Sequence, residues 1–398
     1  MVKVLNIFGV SILTFLLLLA LTIFSLAFWI NSTALNPRFM ISEINRLDFV
    51  LLVQDTLTSQ NQEGISQELE TAVVNYIKEI EPQIKMQVDV AVHSVYDYLL
   101  GKKSNPELAK TLRSTFLSSE FVTSAVNSLD IATIANEVIE EQMELQIPSG
   151  LSWFKDYMDQ NLKKLLIELE PSIKEQIKKA ADPIADYLVG NDRSFTVVIQ
   201  TKPLVEAVKQ DLLQYVLTSP PPELAELSQS AIEANFDALF NQVVPAIPAS
   251  FEVNETTIGT DVPAQIATSI GEAEKGLTQV RPYISYFQLG FWLLIAFMAL
   301  IIVGIIFIYR QVKPIAINLG ITFVTFGIIE LAAFFIVKYF GAQQLAQFSG
   351  IPVALQAWLP QLFNHFMAPI LTIGIGSAVV GLALIIISIV YKPREATE

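Results

Sequence analysis

Glu330 is the only acidic residue inside a long apolar run, Ile315–Val337. A carboxylate within a bilayer is costly, so it counts as a functional candidate by default. Gly327 and Ala333 flank it at i−3 and i+3, which lets its stripe of the helix approach a neighbour closely. Counting inward from the outer ends of the apolar runs places it level with Thr372 to Ser377 on the last run and Thr22 to Ser25 on the first. Two chemistries compete for it. In one, Glu330 with Thr372 and Ser377 forms a proton or cation site on a transport pathway. In the other, a neutral Glu330 makes one interhelical hydrogen bond, because burial favours the protonated acid.

No second constellation with catalytic spacing accompanies it. The chain has no cysteine, which excludes a thiol nucleophile, a thiolate metal site and a disulfide framework. With only two histidines, His93 and His365, a histidine-rich metal site is not expected, and no second ligand lies near His365. Asp97-Tyr98 and Asp186-Tyr187 recur, but no base or nucleophile accompanies them. A tyrosine at the end of an apolar stripe reads as core with a polar tip. The chain is therefore expected to be non-enzymatic and to need no cofactor. A net charge of −14 argues against nucleic acid as a partner.

The elements that position these residues are helices. Four stretches are long and apolar enough to span a bilayer: 7–30, 287–309, 315–337 and 368–391. The first competes with a cleaved signal peptide, since Ser32-Thr33-Ala34 resembles a cleavage site, but its apolar run is longer than a signal core. It is taken as an uncleaved anchor, after a cytoplasmic 1–6. Arg310, Lys313, Lys392 and Arg394 then share the cytoplasmic side with Lys3, and 31–286 lies outside the plasma membrane. The short tail, 392–398, is cytoplasmic in the same scheme. Gly374, Ala378 and Gly381 on the last span form a small-residue seam, read as close helix packing within the chain ahead of a dimer face. The 338–367 segment, aromatic-rich and without a fixed charge after Lys338, is expected to lie on the outer membrane surface, with His365 as an interfacial residue.

Within 31–286 the sequence repeats. Residues 81–101 align with 170–190 at ten identical positions of 21. The signature is Glu81, Pro82, Lys85, Asp97, Tyr98 and Gly101 in the first copy. It returns as Glu170, Pro171, Lys174, Asp186, Tyr187 and Gly190 in the second. Residues 39–48 match 121–130 at five of ten positions. Two tandem helical units follow, 39–120 and 121–218, which would stack because neither buries its stripe alone. Residues 219–286 connect them to the membrane. Pro82 and Pro171 are expected to bend or restart the long helices, with Glu81 and Glu170 near the new first turns. Gly101 and Gly190 are placed as C-terminal caps. The second copy inserts a β-branched stretch, Ser194–Gln200, whose best strand partner is Ser250–Val253.

The fold class expected is an all-α membrane protein with four transmembrane helices. A large acidic extracytoplasmic domain of two tandem repeats and a minor two-stranded β element complete it. The function expected is an interaction or scaffold module of the cell envelope, partnered by the lipid bilayer and by a protein or a second copy through the ectodomain. The alternative is a transporter or channel component using Glu330.

Overall fold

The computed structural model describes residues 2–59, 67–134, 136, 152–200, 202–221, 225–226, 228–243, 250–345 and 351–391. Those residues are mostly helical, with one two-stranded sheet. They form two compact units. The first takes 1–48, 92–106 and 276–398; the second takes 49–91 and 107–275. This division runs across the expected repeat boundaries, since 39–120 contributes to both units.

The first unit holds four helices long and apolar enough to cross a membrane. They are α1 (Val2–Ser32), α11 (Val262–Tyr309), α12 (Val312–Leu345) and α13 (Val353–Val390). Leu17, Ala20 and Leu21 of α1 pack with Met298, Ile301 and Ile305 of α11 and with Leu319 and Phe326 of α12. The outward faces keep large apolar side chains such as Phe15, Leu293, Leu300, Phe335 and Ile386 exposed, as a lipid-facing surface requires. α2 (Pro37–Asn45) starts where Asn36 caps it, its side chain accepting the Arg38 N–H, with Pro37 in the first turn.

α13 runs further than the sequence pattern suggests. It begins at Val353, so residues 353–367, expected as a separate surface element, are the opening turns of the helix that carries the last span. The Phe363 ring fills the space over Gly341 of α12, so these two helices stay packed beyond the apolar run itself. α11 runs from Val262 through Pro282 into the second span as one helix, the course that Asp261 and Pro263 at its start suggest.

The second unit contains α3 (Phe49–Ser59), α5 (Leu108–Ser114), α6 (Ser119–Ser128), α7 (Ser152–Leu188), α8 (Lys202–Thr218) and α9 (Gln229–Val243), with the first part of α4 (Gln67–Leu99). Its core joins Tyr157, Leu162 and Leu165 of α7 to Leu212 and Val216 of α8 and to Ile232, Phe236 and Phe240 of α9. The Tyr157 hydroxyl donates to Asp211 at 2.8 Å. Burial and that bond hold the phenol well above its ordinary range.

β1 (Thr196–Gln200) pairs antiparallel with β2 (Ser250–Asn254), Val197 opposite Val253 and Gln200 opposite Ser250. The β-branched stretch is thus a strand with the partner its composition suggested. α10 (Glu255–Ile258) follows β2, capped by Asn254.

Pro82 and Pro171 do not restart their helices. α4 and α7 continue through them. Each proline removes one backbone donor, and an ion pair spans the position in both cases: Glu81–Lys85 at 2.8 Å and Glu170–Lys174 at 2.6 Å. These carboxylates serve an i,i+4 pair instead of a new first turn.

Candidate binding site

An apolar cavity of about 530 Å³ lies in the second unit, between α7 and the sheet. Its floor is one stripe of α7, including Ile173, Ile177, Ala180, Ala181, Ile184 and Leu188. Steps of three and four residues put these on one helical face. Strand alternation supplies the roof: Val197 and Ile199 of β1 with Val253 of β2 face the stripe. Val198 points the other way and is 45% exposed. Leu117 and Val122 close one side.

The volume has a cause in the residue sizes. Ala180, Ala181 and Ala185 stand in the middle of the stripe, where larger aliphatic side chains would reach the roof. The roof is tethered away from the floor by its own bonds. The Gln200 N–H donates to Gln176 Oε1 at 2.6 Å, and Gln176 Nε2 donates to the Gln200 carbonyl at 3.3 Å. Phe195, just before β1, packs on the Tyr187 ring at 5.1 Å between centroids. Gln176 is the one polar side chain among the described residues of the lining, and both ends of its amide are engaged. The site therefore offers a ligand hydrocarbon contact and no directed hydrogen bond from a side chain.

A clasp borders it. Arg113 donates to Asp186 at 2.8 Å and to Asp182 at 2.7 Å, tying α5 to α7. Ser119 of α6 also donates to Asp182. The Ser119 bond, then Arg113, holds the Asp182 carboxyl below its usual range. For Asp186 the order is Arg113, then Asn191. Asp186 was expected only as a repeat position; the structure gives it this second task.

The repeat signatures carry the same local geometry. Gly101 and Gly190 have φ of 82° and 76°, the left-handed conformation that ends a helix and suits glycine. The Lys102 and Lys103 N–H groups converge on the Asp97 carbonyl at 2.8 and 3.0 Å. Those of Asn191 and Asp192 converge on the Asp186 carbonyl at 2.9 and 3.2 Å. Tyr98 and Tyr187 are each 3% exposed. Their hydroxyls donate to Thr278 Oγ1 and to the Gly259 carbonyl, both at 3.1 Å. Each Asp-Tyr pair therefore works as a cap and a buried anchor.

In the first unit, Glu330 is 7% exposed and lies beside Ser25 of α1, which is 2% exposed. The Thr372 hydroxyl donates to the Ala368 carbonyl of its own helix and is exposed, and Ser377 is half-buried. The neighbour of Glu330 is thus Ser25 on α1, where the sequence had also offered Thr372 and Ser377 on the last span. Gly374 and Gly381 lie at the contact of α12 and α13. A Cβ on Gly381 would come within 2.6 Å of the Gly320 carbonyl, and one on Gly327 within 2.8 Å of the Ala378 nitrogen.

One cluster escaped the sequence reading. Glu43 on α2 is 2% exposed. Its carboxylate pairs with Arg46 and lies 3.1 Å from His365 Nδ1, while Trp358 Nε1 donates to its carbonyl at 2.8 Å. Nothing in the short α2 segment signals a buried acid; Arg46 is local, but Trp358 and His365, which help bury it, lie more than 300 residues away. His93 is exposed. Among the described residues, no group of three or more acidic or histidine side chains could hold a metal ion.

Comparison of the chain with protein-family models, with curated proteins and with solved structures found no match.

Proposed function

We propose that this chain is a non-enzymatic integral protein of the cell envelope whose helical region is a binding module. Four spans hold it in the plasma membrane, and residues 31–286 face outward. The region is built from two tandem units, 39–120 and 121–218, and the strand inserted in the second unit roofs its apolar stripe. The observation that carries this proposal is the cavity: 530 Å³ is within the size range of ligand sites, which are concave and mostly apolar. The matched caps at Gly101 and Gly190 and the matched ion pairs at Pro82 and Pro171 support the duplication. The distribution of Lys3, Arg310 and Lys313 supports the orientation.

The test is affinity capture of the intact protein from mild detergent, reading bound proteins and bound lipids together. Wild type is compared with Ala181→Phe, which fills the cavity. A species recovered with wild type and lost from the filled variant supports the proposal. Identical recovery from both, or nothing selective from wild type, overturns it.

The transport alternative rests on Glu330. Its burial beside Ser25 within packed helices supports a packing role for it instead.

A further inference from the structure

The second unit carries a polar depression beside the apolar cavity, and the same two helices line both. Val122 of α6 and Ile173 and Ile177 of α7 face the cavity. Asn127 of α6 and Lys174 and Lys178 of α7 face the depression, about 350 Å³ in volume, with Glu170 and Glu175. Neighbouring residues on a helix point about 100° apart. The lysine stripe therefore runs alongside the aliphatic one over the same turns of α7. Lys174 Nζ bonds Glu170 at 2.6 Å and the Asn127 carbonyl at 2.7 Å; Lys178 Nζ bonds Glu175 at 3.0 Å. An ammonium has three donors, so among the described residues both lysines keep capacity for a further acceptor.

We propose that this pair of sites holds one phospholipid of the bilayer, an acyl chain in the cavity and its phosphate at Lys174 and Lys178. The proposal rests on the binding reading above and names its ligand. Three observations select this occupant. The cavity lining is aliphatic, without an aromatic or charged side chain, and its one amide is already bonded. That favours a flexible hydrocarbon chain over a ring system or a peptide, whose backbone groups would stay unpaired. The two cations adjoin the cavity and each is paired with a carboxylate, Glu170 or Glu175, so the depression offers a zwitterionic headgroup an ammonium for its phosphate and a carboxylate for its amine. The chain itself spans a membrane by its four helices, so the ligand is always at hand. The roof is a two-stranded sheet of five residues per strand, which is marginal without its contacts. Its tether through Gln176 and Gln200 is the part that yields to admit the chain.

The test uses the full chain in phosphatidylcholine vesicles holding a trace of phospholipid with a diazirine at the end of one acyl chain. After illumination, adducts are mapped by mass spectrometry, with peptides of α12 and α13 as the internal reference for ordinary bilayer contact. A parallel arm uses diazirine-tagged hexadecanoic acid. The expected result is labelling of 173–188 and of β1 by the phospholipid. That labelling falls about tenfold in Ala181→Phe, equivalent to about 1.4 kcal/mol of binding, while labelling of α12 and α13 is unchanged. Lys178→Gln, which leaves the cavity lining intact, lowers the phospholipid adduct, and lowers the free-acid adduct too, since the acid's carboxylate is also an anion. Unlabelled 173–188 overturns the lipid assignment, and labelling by the free acid alone overturns the phospholipid. If 173–188 stays unlabelled while Ala181→Phe still loses a captured protein, the ligand class falls and the binding module stands. If filling the cavity alters neither readout, both fall.

Discussion

Replacing Gly381 by alanine adds one methyl group where two helix backbones already touch. The new Cβ would lie 2.6 Å from the Gly320 carbonyl oxygen and 2.7 Å from the Val324 nitrogen. Ordinary contact begins at 3.4 Å, so the gap falls short by about 0.8 Å. The obstructing atoms are backbone, which cannot swing aside as a side chain can. α12 and α13 must separate along their seam or shift register, and overpacking of this kind costs about 1–3 kcal/mol. Backbone obstruction puts the cost near the top of that range. Glycine to alanine in a helix returns about 1 kcal/mol, leaving a net loss of about 2 kcal/mol. Gly376, on the same helix, provides the control. No atom lies within 4 Å of its would-be Cβ, so Gly376→Ala should be neutral or stabilising by up to about 1 kcal/mol. The two variants should differ by about 2–3 kcal/mol in denaturant titrations of the purified protein in mixed micelles. Equal stability of Gly381→Ala and Gly376→Ala would refute the close backbone contact as drawn.

Other outcomes follow from named contacts. Loss of Arg46 should destabilise more than Glu43→Gln, because Arg46→Leu leaves a carboxylate that is 2% exposed with His365 as its remaining ion partner, while an arginine that is 45% exposed resolvates easily; thermal melts of both variants read the difference. Asp182 and Asp186 have carboxyls held below their usual range. Their contribution is therefore complete above the ordinary carboxylate pKa, near 4, and is lost as the pH falls through the lowered values. Acid titration of Arg113→Gln, followed by circular dichroism, should show a smaller loss of stability over that window than wild type. Glu330→Gln preserves a group that can bond Ser25, so fold, melting temperature and partner capture should be unchanged; lost solute flux in proteoliposomes would instead favour transport. The chain lacks cysteine, so single cysteines can report sidedness. Lys164→Cys, at a side chain 67% exposed, should react with an impermeant maleimide on intact cells, and Gln311→Cys should react only after lysis.

The apolar runs made the four long helices legible, because length and the absence of charge suffice for that inference. The strand pair was legible too. β-branched Thr196–Ile199 cannot pack as a lone strand, and Phe251 and Val253 offered the one comparable stretch nearby. Helix ends were harder. Nothing between Pro352 and Ala368 distinguishes a surface helix from the first turns of a span, since both are uncharged and aromatic-rich. Pro82 and Pro171 looked like breaks because the pattern shows the lost donor and hides the contacts that hold the helix through it. The α7 stripe was visible as a periodicity, but the cavity above it was not. Its volume depends on three alanines facing a roof more than ten residues further along the chain, held off by a Gln176–Gln200 bond that no periodicity encodes. Glu43 was invisible for the same reason, Trp358 and His365 being brought from 315 and 322 residues away.

The most direct measurement is a high-resolution cryo-electron microscopy map of the protein taken from its own membrane in a detergent-free polymer disc. The account predicts elongated density between Ala181 and the Val197–Val253 pair, continuing towards Lys178. A map in which β1 packs flat on α7 and leaves no room there would contradict it.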